Sequence, residues 1–75
     1  MDNARTAAII KETCRTKGIA VSTLLLECEI RKGLMYDMEK RNWTPSGEIL
    51  ERIADRLECS VDYLLGRTDN PEVNR

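Results

Sequence analysis

The sequence predicts an all-α domain built from five short helices. Three observations support this fold class. Apolar residues recur every three or four positions along most of the chain, which is the period of an amphipathic helix. No stretch alternates apolar and polar residues as a half-buried strand does. Glycine, proline, serine and threonine stand at the ends of the periodic stretches, where they start or stop helices.

The first three helices are predicted at about residues 3–16, 21–28 and 31–40. Gly18 ends the first of them, because glycine readily takes the left-handed conformation found after a helix C-terminus. Each helix has one apolar side that is expected to face the core. The residues on these sides are Ala7, Ile10, Cys14, Val21, Leu24, Leu25, Cys28, Leu34, Met35 and Met38.

The fourth helix has the clearest predicted start. Thr44 is expected to be its N-cap, with Pro45 in the first helical position, where the missing N–H costs nothing. Ser60 is expected to cap the fifth helix and Gly66 to end it. Residues 1–67 then form one domain, and residues 67–75 are predicted to be a frayed polar tail. The inward-facing residues are Ile49, Leu50, Ile53, Ala54, Leu57, Val61, Leu64 and Leu65.

Composition excludes several classes of protein. The chain has 75 residues, enough for one small core, and its 41% apolar content excludes a disordered chain. No apolar run has the length of a membrane span, and no N-terminal stretch has the features of a signal peptide. These observations predict a cytoplasmic protein with no membrane partner.

Cysteine and histidine usage argues against an enzyme or a metal protein. The chain has no histidine, no CxxC pair and no glycine-rich phosphate loop. We therefore expect no catalytic activity, no cofactor and no metal. The cysteines instead occupy apolar-periodic positions, which predicts three small buried hydrophobic side chains: Cys14, Cys28 and Cys59.

The outer face of the third helix is the most informative feature of the chain. At 100° per residue, a polar face lies opposite the apolar side. Residues 15–43 carry six Lys and Arg against four Asp and Glu, whereas residues 44–75 carry four against seven. Two short, closely joined helices, the second with a basic outer face, predict a helix-turn-helix that binds the major groove of duplex DNA. The face consists of Lys32, Gly33, Tyr36, Asp37 and Lys40.

Two strings resemble a known family: GIAVSTLLLECEIRKGLMYDMEKRNWTPSGEILERIADRLECSVDYLLG and IIKETC. They are similar to the phage-repressor-like helix-turn-helix family, also called the xenobiotic-response-element type. The resemblance covers about residues 4–67 and is most specific at residues 44–46, 53–55 and 60–66. It implies a lambda-repressor-like fold and a transcriptional repressor that binds an inverted-repeat operator as a homodimer. The chain is small, so we expect pairing mainly on the DNA.

The resemblance also implies which residues contact DNA. It places Ala20 and Val21 at the start of helix two, where the family anchors a phosphate, and Glu29 at a turn that is usually glycine. Arg41 and Asn42 fall where the family often has glycine, so their backbone would approach a phosphate. The residues expected to bind DNA are Val21, Ser22, Arg31, Lys32, Gly33, Tyr36, Asp37, Lys40, Arg41 and Asn42.

Three positions depart from the family pattern. Ala20 replaces the Ser or Thr that normally caps helix two, a loss of about 1 kcal/mol. Glu29 stands where the turn is expected to need a positive φ. Gly33 is predicted inside a helix, where it costs about 1 kcal/mol relative to alanine. Gly33 either permits close approach to a base edge or is merely tolerated.

Several roles stay open at the level of sequence. Lys32 and Arg31 can contact guanine or a phosphate, or be ordinary solvated charges. Tyr36 can contact a phosphate or a thymine methyl, or pack beside its helical neighbours. Asp37 can accept a hydrogen bond from cytosine, repel wrong partners, or pair with Arg41.

Two further alternatives concern Trp43 and the function as a whole. Trp43, the only tryptophan, either packs on the core or contacts a second subunit or the DNA backbone. A protein-interaction module of the same fold, such as an antitoxin-like or anti-repressor partner without DNA binding, is the alternative function. The acidic pI of about 5.4 and Glu29 favour that alternative, and the basic outer face opposes it.

Overall fold

A computed structural model describes residues 2–72 and contains five helices in this range. They are α1 (Asn3–Lys17), α2 (Val21–Glu27), α3 (Leu34–Lys40), α4 (Gly47–Leu57) and α5 (Val61–Leu64). Residues 2–72 include no strand, so the predicted all-α class is confirmed. No helix in the described part of the chain is long and apolar enough to cross a membrane.

The first helix is the centre of the packing. α1 contacts each of the other four helices and lies against α3 most extensively. α4 in turn contacts α2 and α5. No Cα atom of α2 comes within 8 Å of a Cα atom of α3. The relative position of these two helices is therefore set by α1 and by the six residues that join them.

The core consists largely of the predicted apolar sides. Leu34, Met35 and Met38 of α3 are buried, as are most of the inward-facing residues of the other helices. Ile49, Val61 and Leu65 are only half-buried. All three cysteines are buried free thiols, and burial raises the pKa of each of them above its usual value. The interpretation of the cysteines as small buried hydrophobic residues is therefore confirmed.

Each of the five helices is followed by a residue with positive φ. After α2, Glu29 N donates to Leu26 O at 3.1 Å and Ile30 N donates to Leu25 O at 2.8 Å. This pair of bonds is the Schellman motif, and it also closes α1, α4 and α5. The expected positive φ of Glu29 is confirmed. The positive-φ residues are Gly18, Glu29, Asn42, Glu58 and Gly66.

Glu58 provides a test of the positive φ at the end of α4. Its φ of 56° brings the Cβ atom close to the backbone, and glycine has no Cβ. Glu58→Gly is therefore expected to raise the free energy of unfolding by about 0.5–1 kcal/mol. Glu51→Gly is the matched control, because Glu51 is exposed in the interior of α4. There the same exchange should lower stability by about 1 kcal/mol. Urea denaturation of both variants measures the difference, and a destabilised Glu58→Gly would contradict the strain at this position.

Two predicted helix starts are wrong. Ser46, not Thr44, is the N-cap of α4, and its Oγ accepts from Ile49 N at 3.2 Å. Thr44 Oγ1 is instead engaged by Asn3, and Pro45 is buried in the segment before the helix. Tertiary contacts have thus moved the start of α4 by two residues.

The third helix begins at Leu34 rather than at residue 31. Gly33 is its N-cap and provides no side chain to accept from the first turn. Leu34 N reaches only Arg31 O, at 3.4 Å, so Arg31, Lys32 and Gly33 form a turn before the helix. The expected penalty for glycine inside a helix therefore does not apply, since glycine is acceptable at an N-cap.

The sequence predicted a frayed polar tail, and in the structure residues 67–72 fold back along the domain through hydrogen bonds. Ser60 N, which lies outside α5, donates to Pro71 O at 3.0 Å. Thr68 and Asn70 side chains accept from the backbone N–H groups of Asn70 and Glu72. These turns bring the chain back to the start of α5 because the Ser60 N–H needs an acceptor. Residues 73–75 lie outside the described residues.

Candidate nucleic-acid interface

Residues 31–42, which we call the interface segment, comprise α3 and the turns on either side of it. Lys32, Tyr36 and Lys40 are exposed, and Tyr36 presents 58% of its surface to solvent. The apolar side of α3 is buried against the rest of the domain. The predicted opposition of an apolar and a polar face is confirmed, and α1 is the helix against which the apolar face packs.

Arg31 does not extend into solvent as a free cation. Its Nε donates to Asp37 Oδ2 at 3.1 Å, and Nη2 lies 3.0 Å from the same oxygen. Its guanidinium also stacks on Trp43, with Cζ 4.2 Å from the ring centroid. This contact joins the turn before α3 to the loop after it. Trp43 itself is half-buried and packs against the core, which agrees with the core-packing interpretation of that residue.

Asp37 holds the end of α3 with both its backbone and its side chain. The Asp37 carbonyl accepts from Arg41 N and Trp43 N, each at 3.0 Å. Asp37 Oδ1 lies 3.8 Å from Arg41 Nε, and the Arg41 guanidinium lies 5.9 Å from the centre of the Tyr36 ring. The predicted pairing of Asp37 with Arg41 is present. The closer partner, which the sequence did not indicate, is Arg31.

Two of the three other acidic groups near the interface segment are paired with cations of other helices. Glu39 pairs with Lys11 of α1. Glu27 accepts two hydrogen bonds from Arg56 of α4, at 3.1 and 3.2 Å. Glu29 lines a groove against α4 with Arg52 and Arg56 among its walls. Glu29, which the family pattern placed near DNA, therefore shares a groove with two arginines of α4 but forms no ion pair with them, since these arginines pair with Glu48 and Glu27.

Lys32 and Lys40 differ from the neighbouring charges. Within residues 2–72, neither lysine has a carboxylate oxygen within 4 Å, and both are exposed. The acidic residue inside the interface segment's outer face, Asp37, is shared between two arginines. The face consequently presents two uncompensated ammonium groups and the Tyr36 hydroxyl to solvent, which is the chemistry that phosphate and base-edge acceptors bind.

The start of α2 presents few polar side chains that could contact DNA. Val21 packs against the core and is half-buried, and its apolar side chain offers no hydrogen bond to a ligand. Ser22 is exposed beside it. Ala20, the residue before the helix, makes no side-chain cap, as expected. Ser22 is thus the one predicted contact of α2 whose side chain is accessible.

The backbone conformation at Gly33 does not require glycine. Its φ of −84° and ψ of 6° are open to any residue. A Cβ built at Gly33 would meet nothing closer than Asp37 Oδ2 at 3.8 Å, which is ordinary van der Waals contact. The free protein therefore gives no reason for glycine here, and both interpretations, close approach to a base edge and a glycine that is merely tolerated, stay predictions.

Asn3 is a residue of the site that the sequence did not reveal. It lies at the start of α1, is 3% exposed, and crosses to the loop after α3. Its Nδ2 donates to Asn42 O at 3.0 Å, Asn42 Oδ1 at 2.9 Å and Thr44 Oγ1 at 3.0 Å. An asparagine at a helix start suggests a cap, but Asp2 caps α1 by accepting from Arg5 N. No local signal in the sequence indicates the long-range role.

No family model, curated protein or solved structure matches this chain. The family resemblance drawn from its motifs therefore stays a prediction.

Across residues 2–72, no three Cys, Asp or Glu side chains come together in a way that could hold a metal ion. A groove of about 330 Å³ lies between α1, α5 and the tail, with Cys59 and Tyr63 in its lining. Burial raises the pKa of the Cys59 thiol, which opposes the thiolate form that a nucleophile needs.

Proposed function

We propose that this protein is a sequence-specific DNA-binding regulator, acting as a repressor at an inverted-repeat operator. The observation that carries the proposal is the charge arrangement of the interface segment. Its exposed lysines are uncompensated, whereas Asp37, Glu39 and Glu27 are each paired with a cation. A phosphate backbone binds such a face and releases counterions as it does so.

The geometry suggests different roles for the residues of the interface segment and for Ser22. Lys32, in the turn before α3, is positioned to contact a guanine edge or a phosphate. Tyr36 and Lys40 lie one helical turn apart on the exposed side of α3 and extend that contact along it. Arg41, at the end of α3, and Ser22 on α2 would bind phosphates. Arg31 and Asp37 would hold the segment in shape rather than read bases.

The arrangement of α2 and α3 supports a helix-turn-helix of the lambda-repressor-like type. The two helices are joined by six residues, of which Glu29 takes the left-handed turn conformation. Both helices pack on α1, and the outward face belongs to the second helix, as the docking of this motif requires. α3 is only seven residues long, so the turn at Arg31, Lys32 and Gly33 would form part of the DNA-reading surface.

Selection from a random duplex pool tests the proposal. The protein should enrich one short motif, and its affinity for that duplex should fall steeply as salt rises, because each neutralised phosphate adds about 0.9 to the log–log slope. A pool that shows no enrichment, together with salt-independent or absent binding, would reject DNA binding.

One observation favours the protein-interaction alternative. Leu26 on α2 is 77% exposed, more than any other large apolar side chain within residues 2–72. A partner protein could cover it. The duplex selection separates the two functions, since an interaction module would bind no DNA, and Leu26→Ser would then weaken partner binding. If the protein does bind DNA, Leu26→Ser should leave its affinity unchanged, because the leucine side chain has no polar group to bind a phosphate.

Pairing on the operator is a further expected result. One recognition helix reads only a few base pairs, so a useful regulator doubles its contact by two-fold symmetry. We expect two chains on a palindromic operator, with half-sites about one helical turn apart, and mainly monomers without DNA. Analytical ultracentrifugation with the whole operator and with an isolated half measures both. Equal affinity for the two, with one chain bound to each, would refute the dimer.

A further inference from the structure

The loop between α3 and α4 is held from two sides. We call residues 41–44 the exit loop. From α3, the Asp37 carbonyl accepts from Arg41 N and Trp43 N. From α1, the Asn3 amide donates to Asn42 and Thr44. Every residue of the exit loop therefore has at least one contact that fixes its position.

The side-chain N–H groups of Asn3 donate to acceptors in the exit loop. An amide has two N–H groups, and Nδ2 shares them among three acceptors, two of which belong to Asn42. Asn3 Oδ1 is buried and has no hydrogen-bond partner within the described residues. A buried oxygen of this kind costs stability, so the side chain is poorly explained as a core residue. What the amide does provide is a fixed geometry for the exit loop.

The Asn42 backbone explains why the loop needs a fixed position. Asn42 has a φ of 52°, in the left-handed region, and asparagine adopts this region more readily than most residues. Asn3 binds both its carbonyl and its side-chain oxygen, so a change in the Asn42 backbone would break two bonds. Arg41 immediately precedes it, with its side chain exposed. The Arg41 main chain is thus held on one side by its N–H bond to the Asp37 carbonyl, and on the other by the peptide that joins it to Asn42, whose oxygen Asn3 binds.

We propose that Asn3 is a positioning residue for the DNA interface. Its amide locks the exit loop and so directs Arg41 toward a phosphate, although Asn3 itself touches no DNA. This inference rests on the proposed DNA-binding function and adds to it a residue on α1, outside the helix-turn-helix. The uncharged amide makes the role distinguishable from a direct phosphate contact, because it cannot itself neutralise a phosphate.

The first measurement needs no DNA. Trp43 is the only tryptophan, and it lies in the exit loop between the two residues that Asn3 binds. Asn3→Ala should increase acrylamide quenching of Trp43 fluorescence, because the loop loses three hydrogen bonds and opens to solvent. Ser60→Ala is the control. It removes the cap of α5, a comparable local bond far along the chain, and should leave quenching unchanged.

The second measurement is the salt dependence of binding to a selected duplex. Arg41→Ala should lower the log–log slope by about 1, as expected for one lost phosphate contact. Asn3→Ala should lower it by a similar amount, and the double variant should show no further fall, because both changes remove the same contact. Ser60→Ala should keep the parental slope. A general loss of stability would not lower the slope in Asn3→Ala and Arg41→Ala while leaving it unchanged in Ser60→Ala.

The outcomes separate the two proposals. A parent protein that binds no duplex overturns the DNA-binding function, and unchanged Trp43 quenching in Asn3→Ala overturns the lock on the loop. Normal parental binding with an unchanged slope in Asn3→Ala overturns the positioning role alone. If Asn3→Ala does not fold, Thr44→Val removes one acceptor of the same amide with little change in shape. It must then raise quenching and lower the slope in the same direction, or the proposal fails.

Discussion

Ile53→Ala is expected to lower the free energy of unfolding by about 2–5 kcal/mol. Ile53 is completely buried in α4, the helix that contacts α1, α2 and α5. Alanine would leave a cavity there, and the surrounding helices could collapse only partly around it. A domain of this size has only about 5–10 kcal/mol of stability in total, so much of the population would unfold near physiological temperature.

A matched control lies on the same helix. Ile49 is one turn earlier and only half-buried, so Ile49→Ala removes the same atoms from a partly solvated position and should cost clearly less. Thermal and urea denaturation followed by circular dichroism measures both variants. If Ile53→Ala melted within a couple of degrees of the parent, Ile53 could not be part of the packed core.

Lys32→Ala is expected to weaken binding to a selected operator by about 1–3 kcal/mol, or about 5–150-fold. Lys32 is exposed, has no carboxylate partner among residues 2–72, and stands in the turn that starts α3. If it reads a base, the loss should be larger for the operator than for unrelated duplex DNA. If it binds a phosphate, the loss should be similar for all sequences, and the salt slope should fall by about 1.

Lys17→Ala is the control for this prediction. Lys17 is also an exposed lysine with no carboxylate partner in the described part of the chain, but it ends α1 and lines the groove near Cys59. Removing it changes the net charge by the same amount and should leave operator affinity nearly unchanged. Unaltered affinity in Lys32→Ala would remove that residue from the interface. Equal losses in both variants would mean that net charge alone drives binding.

The positions of the helices, and the side of each that faces the core, were predictable because both depend on local periodicity. The apolar residues of α3 and α4 recur at the helical period, so their burial follows from spacing alone. The ends of α1 and α5 were also predictable, since Gly18 and Gly66 suit a left-handed residue. Glu58 ends α4 in the same conformation without any such signal, and it was missed.

The starts of α3 and α4 were less predictable, because contacts with other parts of the chain decide them. Both Thr44 and Ser46 can cap α4, and the sequence favours Thr44 with its following proline. In the folded domain the Thr44 hydroxyl accepts from Asn3 of α1, and Ser46 provides the cap of α4. The first turn of α3 is replaced by an irregular turn, with Gly33 providing no cap. Such choices depend on partners that are distant along the chain.

The sequence by itself determined the helical class, the inward and outward faces, and the excess of basic residues around α3. These are properties of spacing and composition, which a helix expresses wherever it packs. Only the tertiary structure decided which charges remain free. Arg31 and Asp37 are engaged with each other and with Trp43, and Glu39 pairs with α1, whereas Lys32 and Lys40 stay unpaired. Ion pairs form over a few ångströms in space, and that proximity is set by packing rather than by position in the chain.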